Sequence, residues 1–353
     1  MSVQTPAVLD RVRVLTAPAL RAAVERLEPS IAQVAAYHLG WVDVAGRPVA
    51  GNGGKAIRPA LAVLSAEAVG AGAGEALPGA VAVELVHNFS LLHDDLMDGD
   101  EERRHRPTAW KAFGAALAVL AGDALLALAE EVLLEAPGET GPQAARHLTG
   151  ATGRLITGQA EDLSFERRLD VSVTECLAMA GNKTGALLAC ASSIGAVLAG
   201  APDDAVETLS GFGYHLGLAF QAVDDLLGIW GQPEVTGKPA WSDLRQRKKS
   251  VPVAHALSSG GRVAERLAAL LGEAAPGAGP GTARAAEDGP RLGDEDLALA
   301  AKLVQEAGGR DWTMAEARRQ LGLALAHLDA VAAPVPVRDE LVSLARFVTT
   351  REL

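Results

Sequence analysis

Apolar residues recur at the three-to-four spacing of a helix along almost the whole chain, and no run alternates in the manner of a strand. That pattern predicts helices over 18–37, 57–70, 78–98, 111–135, 142–165, 173–199, 204–231 and 251–272, then over 294–307, 313–332 and 336–348. GWVDVAGRPVAGN (40–52) reads as a Gly-rich connection. Residues 272–294, GEAAPGAGPGTARAAEDGPRLGD, lack an apolar stripe and read as a flexible surface loop. No repeat of fixed period occurs, which argues against a solenoid. The expectation is an all-α protein, most simply one large helical bundle over 1–353.

Composition sharpens this picture. Of 353 residues 49% are apolar but only 4% aromatic, and Ala and Leu dominate. Both keep their side-chain freedom in a helix. With 32 basic against 44 acidic residues the net charge is -12, which phosphate backbones would repel, so a nucleic-acid partner is excluded. Cys176 and Cys190 are too few for a disulfide framework or a zinc site. No basic-then-apolar leader opens the chain, and acidic residues interrupt its longest apolar run, so the expectation is a soluble, cytoplasmic protein with no membrane span.

Candidate chemistry concentrates in HNFSLLHDDLMD (87–98). On a helix Asp94 and Asp98 share a face, with His87 two turns earlier on the same stripe and Leu85, Phe89, Leu92 and Leu96 beside it. Two carboxylates one turn apart repel by about 0.2–0.5 kcal/mol. A solvated helix end tolerates that cost, and a hard divalent cation offsets it. The pair alone leaves both readings open. A second pair, Asp224 and Asp225, ends FQAVDD (220–225) in another apolar helix. Mg²⁺ takes one or two protein carboxylates and shares its other sites with phosphate oxygens, so two such clusters facing one cavity in the bundle core would hold a diphosphate. Cations for that anion stand at Lys55, Arg58, Arg103, Arg104, Lys183, Lys238 and Lys248.

In order, GGKAIRP (53–59), HNFSLLHDDLMDGDEERRHRPT (87–108), GQAEDL (158–163), KTG (183–185) and FQAVDDLLGIWGQPEVTGKPAWSDLRQRKKSVP (220–252) resemble the trans-isoprenyl diphosphate synthase, or polyprenyl synthetase, family. That resemblance implies an isoprenoid synthase helical bundle with a central active-site cavity. It implies a homodimer using isopentenyl diphosphate, an allylic diphosphate and roughly three Mg²⁺ ions per site. By the same likeness Asp94, Asp98 and Asp224 would ligate metal, supported by Asp95 and Asp225. Arg103, Lys183 and Lys238 would hold the allylic diphosphate. Lys55, Arg58, His87 and Arg104 would hold that of isopentenyl diphosphate. Gln221, Thr184 and Lys248 match further substrate-binding positions, with Thr184 read either as facing the carbon skeleton or as an ordinary back-bonded threonine. Gln159 and Asp162 share a helix face, with core hydrogen bonding an equal reading.

The implied reaction ionises an allylic C–O bond and lets the double bond of isopentenyl diphosphate attack the cation, with charge stabilisation carrying the catalysis. Phe89 and Ser90, five and four residues before Asp94, are the candidates for limiting chain length. With no insertion between Asp94 and Arg103, geranylgeranyl diphosphate is the expected product. Three positions depart from the family pattern. Gly228 replaces the third aspartate of the second motif, and His105 and Arg247 replace glycines, read as tolerated surface changes. Two alternatives stand beside the coupling enzyme: a terpene cyclase on the same scaffold, and a catalytically weakened or regulatory subunit to which Gly228 points.

Overall fold

The computed structural model describes residues 5–49, 54–166, 168–232, 240–273 and 292–349. Among them the chain is all-α apart from one short hairpin and an isolated bridge. In order come α1 (Ala7–Val24), α2 (Pro29–His38), α3 (Ile57–Ala68), α4 (Leu77–Met97), β1 (Glu102–Arg103), β2 (Arg106–Pro107), α5 (Ala109–Phe113) and α6 (Ala115–Leu134). Then follow α7 (Thr140–Phe165), α8 (Val173–Ala180), a π-helical turn (Gly181–Gly185), α9 (Ala186–Ala191), α10 (Ile194–Leu198) and α11 (Asp203–Trp230). The chain closes with α12 (Ser242–Arg245), α13 (Val251–Ser258), α14 (Gly261–Glu273), α15 (Asp294–Glu306), α16 (Gly309–Asp329) and α17 (Val335–Thr349).

The predicted helices are present, and the differences have local causes. The first stretch splits in two because Pro29 starts α2, whose first turn is capped by Glu28 accepting from the Ser30 and Ile31 N–H groups. The 111–135 stretch breaks at Gly114, whose φ of +90° is one a helix cannot carry. The 173–199 stretch is interrupted by the π turn, and 251–272 by Gly260 and Gly261 at φ +72° and +76°. Of the expected loop at 272–294, residues 274–291 lie outside the described residues.

The residues sort into two compact units. Among the described residues the first draws on the chain up to Leu155, on Gly185–Gly217 and on 322–349; the second on Ile156–Thr184 and Leu218–Leu321. Within the first, α3 and α4 are buried on nearly every face and form its interior, with α6 packed against α4. Close approach there needs small residues: a Cβ on Gly195 would lie 2.0 Å from the Ala62 carbonyl oxygen, so α10 seats directly on α3. Within the second unit, Ile229, Leu244, Val253, Leu267, Leu297 and Val304 anchor one apolar cluster. Phe165, Val171, Cys176, Val251 and Ala254 form another.

Candidate functional site

In the first unit, the C-terminal turns of α4 carry Asp94, Asp95 and Asp98. Asp94 and Asp98 are half-buried, one turn apart, and the Asp98 N–H caps the helix on the Asp94 carbonyl (2.8 Å). Asp95 is 1% exposed, and its Oδ1 accepts from Arg103 Nε (2.7 Å) and Nη2 (2.6 Å). Its Oδ2 is inaccessible and has no hydrogen-bond partner. Burial outweighs the guanidinium and holds the Asp95 carboxyl above its ordinary range. Arg103 reaches Asp95 from the hairpin, where Arg103 pairs with Arg106 and the two turn residues, Arg104 and His105, are both left-handed (φ 54° and 60°). This is the geometry of a two-residue turn with positive φ at both positions, and it explains why glycine suits 105.

The same hairpin gathers positive charge. Arg104 lies over Gly54, where an added Cβ would stand 3.2 Å from Nη2, so the glycine of GGKAIRP admits the guanidinium. Arg58 is half-buried, and desolvation lowers it to about 10 against the opposing charge of Glu84. His87 is driven well below its usual value by desolvation and then by Arg58, Arg103, Arg104 and His38. It is neutral at pH 7, able to donate or accept one hydrogen bond. Arg58, His87, Arg103 and Arg104 thus share one electrostatic neighbourhood. Lys55 is exposed and stands 5.2 Å over the Phe347 ring.

Sequence reasoning missed three members of this neighbourhood. His38 is held down to about 3 by desolvation and by Arg103, Arg104 and Arg106. Glu84 supplies the countercharge, with Asn88 Nδ2 donating to its Oε1 (3.3 Å). Arg106 stacks on Tyr37 and donates to the Val42 carbonyl (2.8 Å). A cavity of about 310 Å³ opens here, lined by Tyr37, His38, Asp95, Arg103, Arg104 and Arg106 among others. Only the two-arginine run marked it in the sequence. Phe89 is buried with its ring edge-on to His93 (centroids 4.9 Å apart), and buried Ser90 donates to the His87 carbonyl (2.8 Å).

The second unit holds the other acidic pair. A relay of side chains fixes it: Thr184 Oγ1 donates to Gln221 Oε1 (2.7 Å), and Gln221 Nε2 donates to Asp225 Oδ1 (2.7 Å). The Val251 N–H donates to Asp225 Oδ2 (2.9 Å). The Thr184 hydroxyl thus serves the glutamine. Burial, followed by the Asp243 charge, pushes the Asp225 carboxyl up to about 7. Asp224 is half-buried beside it. Lys183 sits in the π turn, a feature frequent at functional sites, and its Nζ lies 2.6 Å from Asp162 Oδ2. Both polar side-chain atoms of Gln159 are buried without a partner, so the core hydrogen bonds considered for it are not formed. Lys248 is half-buried, and Arg247 is left-handed (φ 57°). Lys238 lies outside the described residues.

Among the described residues no three His, Cys, Asp or Glu side chains converge as a metal cage. Asp94 and Asp98 in the first unit, and Asp224 in the second, each offer hard carboxylate oxygens in small numbers, a donor type that suits Mg²⁺. Cys176 and Cys190 are buried free thiols, and burial pushes the Cys176 thiol up to about 12, which disfavours the thiolate.

The geometry can be set beside known proteins. The polyprenyl synthetase family model matches residues 40–279. A (2E,6E)-farnesyl diphosphate synthase of Mycobacterium bovis is 50% identical over 353 residues, covering 100% of this chain and 95% of that protein. A geranylgeranyl diphosphate synthase of Mycobacterium tuberculosis is 42% identical over 98% of this chain and 94% of its own. The crystal structure of a polyprenyl synthetase from Streptomyces coelicolor A3(2) superposes with a TM-score of 0.90 at 59% identity, covering 98% of this chain and 100% of that one.

Proposed function

We propose, from the premise that this chain belongs to the polyprenyl synthetase family and is a trans-prenyl diphosphate synthase, that it extends an allylic diphosphate with isopentenyl diphosphate to geranylgeranyl diphosphate. The observation that carries the reading is the gathering of Arg58, Arg103 and Arg104 around neutral His87, on the helix that also presents Asp94 and Asp98. Four groups of this kind suit a diphosphate: guanidiniums pair with its oxygens in forked geometry, and a neutral imidazole adds a directed hydrogen bond.

In the proposed cycle Arg58, His87 and Arg104, with Lys55, take the diphosphate of isopentenyl diphosphate. Arg103, Lys183 and Lys238 take that of the allylic substrate. Asp94, Asp98 and Asp224 would hold magnesium, on which the family depends, with Asp95 and Asp225 in support. Magnesium, when bound, would neutralise charge on the departing diphosphate. Arg103 and Lys183 would strengthen their hold as that charge grows, which is where catalysis gains over simple binding. The released diphosphate is the proposed acceptor of the final proton, since no side-chain base is required. Apolar walls exclude the water that would quench the allylic cation.

Phe89, five residues before Asp94, is the proposed floor of the product tunnel, with Ser90 beside it. Both units together are proposed to form one catalytic domain, and the working form a cytoplasmic homodimer. Among the described residues no helix is long and apolar enough to cross a membrane. The test is product analysis with Mg²⁺, labelled isopentenyl diphosphate and dimethylallyl, geranyl or farnesyl diphosphate. A twenty-carbon diphosphate with release of pyrophosphate is expected. A product stopping at fifteen carbons overturns the chain length. Hydrocarbon from the allylic substrate alone would establish a cyclase, and no pyrophosphate from any primer a silent subunit.

A further inference from the structure

Gly228 lies one helical turn after Asp224 and on the same face of α11. A Cβ built on it would stand 2.2 Å from Asp243 Oδ2, 2.3 Å from its Cγ and 2.4 Å from its Oδ1. The carboxylate of Asp243 therefore fills the volume that a side chain at 228 would occupy. Its oxygens stand about as far from that Cβ as an aspartate's own would. The group arrives from a different element. Trp241, left-handed at φ 57°, turns the chain into α12, and Leu244, 1% exposed, anchors that helix in the core. Ser242 Oγ donates to the Gly228 carbonyl (3.3 Å) and to Asp243 Oδ1 (3.3 Å), while the Lys248 N–H donates to the Asp243 carbonyl (2.8 Å). All these residues belong to the second unit.

We propose that Asp243 replaces the acidic side chain missing at position 228, presenting its carboxylate on the Asp224 face of α11 toward the magnesium-bound diphosphate. Gly228 is then a vacancy kept open for a carboxylate from elsewhere. That accounts for a glycine inside a helix, where it costs about 1 kcal/mol relative to alanine. It also removes the feature that pointed to a silent subunit, because the acidic group is relocated rather than lost.

The inference rests on the reading of Asp224 as a magnesium ligand, so the experiment tests the two separately. Mn²⁺ binding to the full chain is measured by electron paramagnetic resonance with inorganic pyrophosphate present, and each variant's melting temperature is recorded. Asp224→Asn tests the underlying site; unchanged Mn²⁺ affinity there removes that site and this inference with it. With that arm weakened as expected, Asp243→Asn should weaken Mn²⁺ binding by about 10-fold, the lower end for groups supporting a metal. Gly228→Ala should do likewise by displacing the Asp243 carboxylate, without touching any acidic residue. Gly228→Asp combined with Asp243→Gly should regain most of the lost affinity, since it returns the carboxylate to the helix. Wild-type affinity in both Asp243→Asn and Gly228→Ala overturns the proposal. Should Asp243→Asn fail to fold, Gly228→Ala and the exchanged pair decide.

Discussion

At the end of α4 the middle carboxylate of the acidic run, Asp95, is buried against a guanidinium. Near the end of α11 the corresponding carboxylate, Asp225, is buried against an amide side chain and a backbone N–H. Both runs occupy the C-terminal part of a helix, where the macrodipole already disfavours negative charge. Arg103 offsets part of that cost in the first region with a fixed positive charge, although burial still holds the Asp95 carboxyl above its ordinary range. The second has hydrogen bonds alone, and there the Asp225 carboxyl rises to about 7, so near neutral pH it holds a proton much of the time. The contrast teaches that two similar motifs can store their charge differently: one permanently paired, the other paired only when a cation or proton is supplied.

The largest effect should come from the outward-facing member of the first region. Asp94→Ala removes a proposed metal ligand while leaving Asp95 and Arg103 untouched, and kcat for pyrophosphate release should fall by about 10²–10³-fold or more. Melting temperature should stay near wild type. Retained turnover would break the assignment of Asp94.

Next in size is the pairing itself. Arg103→Leu leaves Asp95 buried with no counter-cation. Breaking a buried pair from one side costs about 3–5 kcal/mol, and with Arg103 29% exposed about 2–3 kcal/mol is expected in urea unfolding. Adding Asp95→Asn should recover most of it. In the second region Gln221→Leu should cost less, about 1–2 kcal/mol, because a neutral hydrogen bond is lost rather than a charge stranded. Equal losses in the two regions would erase the comparison.

Acid should separate them further. His38, in the first region, is held neutral down to about 3 by desolvation and by Arg103, Arg104 and Arg106, and His87 is shifted the same way. An unfolded histidine takes its proton near pH 6.5. The stability that His38 contributes is therefore complete above pH 6.5 and lost as pH falls from there toward 3, and His87 acts in the same direction. His38→Gln should flatten that acid slope between pH 7 and 5 in urea midpoints. An unchanged slope would mean that the arginine cluster does not act on His38 as described.

How much of this was legible in the sequence follows from contiguity. Asp94 and Asp98 sit one turn apart, so helical period alone put them on one face, and α4 and α11 appeared within a residue or so of their predicted ends. The partners were not legible, because no periodicity marks them and His38 and Asp243 come from other segments. His38 closes α2, and Asp243 lies in a separate short helix about fifteen residues beyond Gly228, while Glu84, a turn before His87, stands in a helix whose pattern is otherwise apolar. No periodicity links position 243 to 228; only a contact does. The breaks at Gly114 and at the π turn were hidden too, since Ala- and Leu-rich flanks continue the apolar pattern across them.

The smallest predicted effect concerns two positions where glycine was expected. His105 turns the first region's hairpin at φ 60°, and Arg247 precedes Lys248 in the second at φ 57°. A left-handed residue with a Cβ costs about 1–2 kcal/mol, while glycine loses about 0.5–1 kcal/mol of extra chain entropy on folding. The first term wins narrowly. His105→Gly and Arg247→Gly should each stabilise the protein by about 0.5–1 kcal/mol in urea unfolding. In the first region the side chain is exposed, so the full gain should appear. In the second, Arg247 is half-buried and its carbonyl accepts from Lys249 Nζ (3.0 Å), so a looser backbone there should return part of the gain. A larger gain at 247 than at 105 would show that packing around Arg247, rather than its φ, sets the cost.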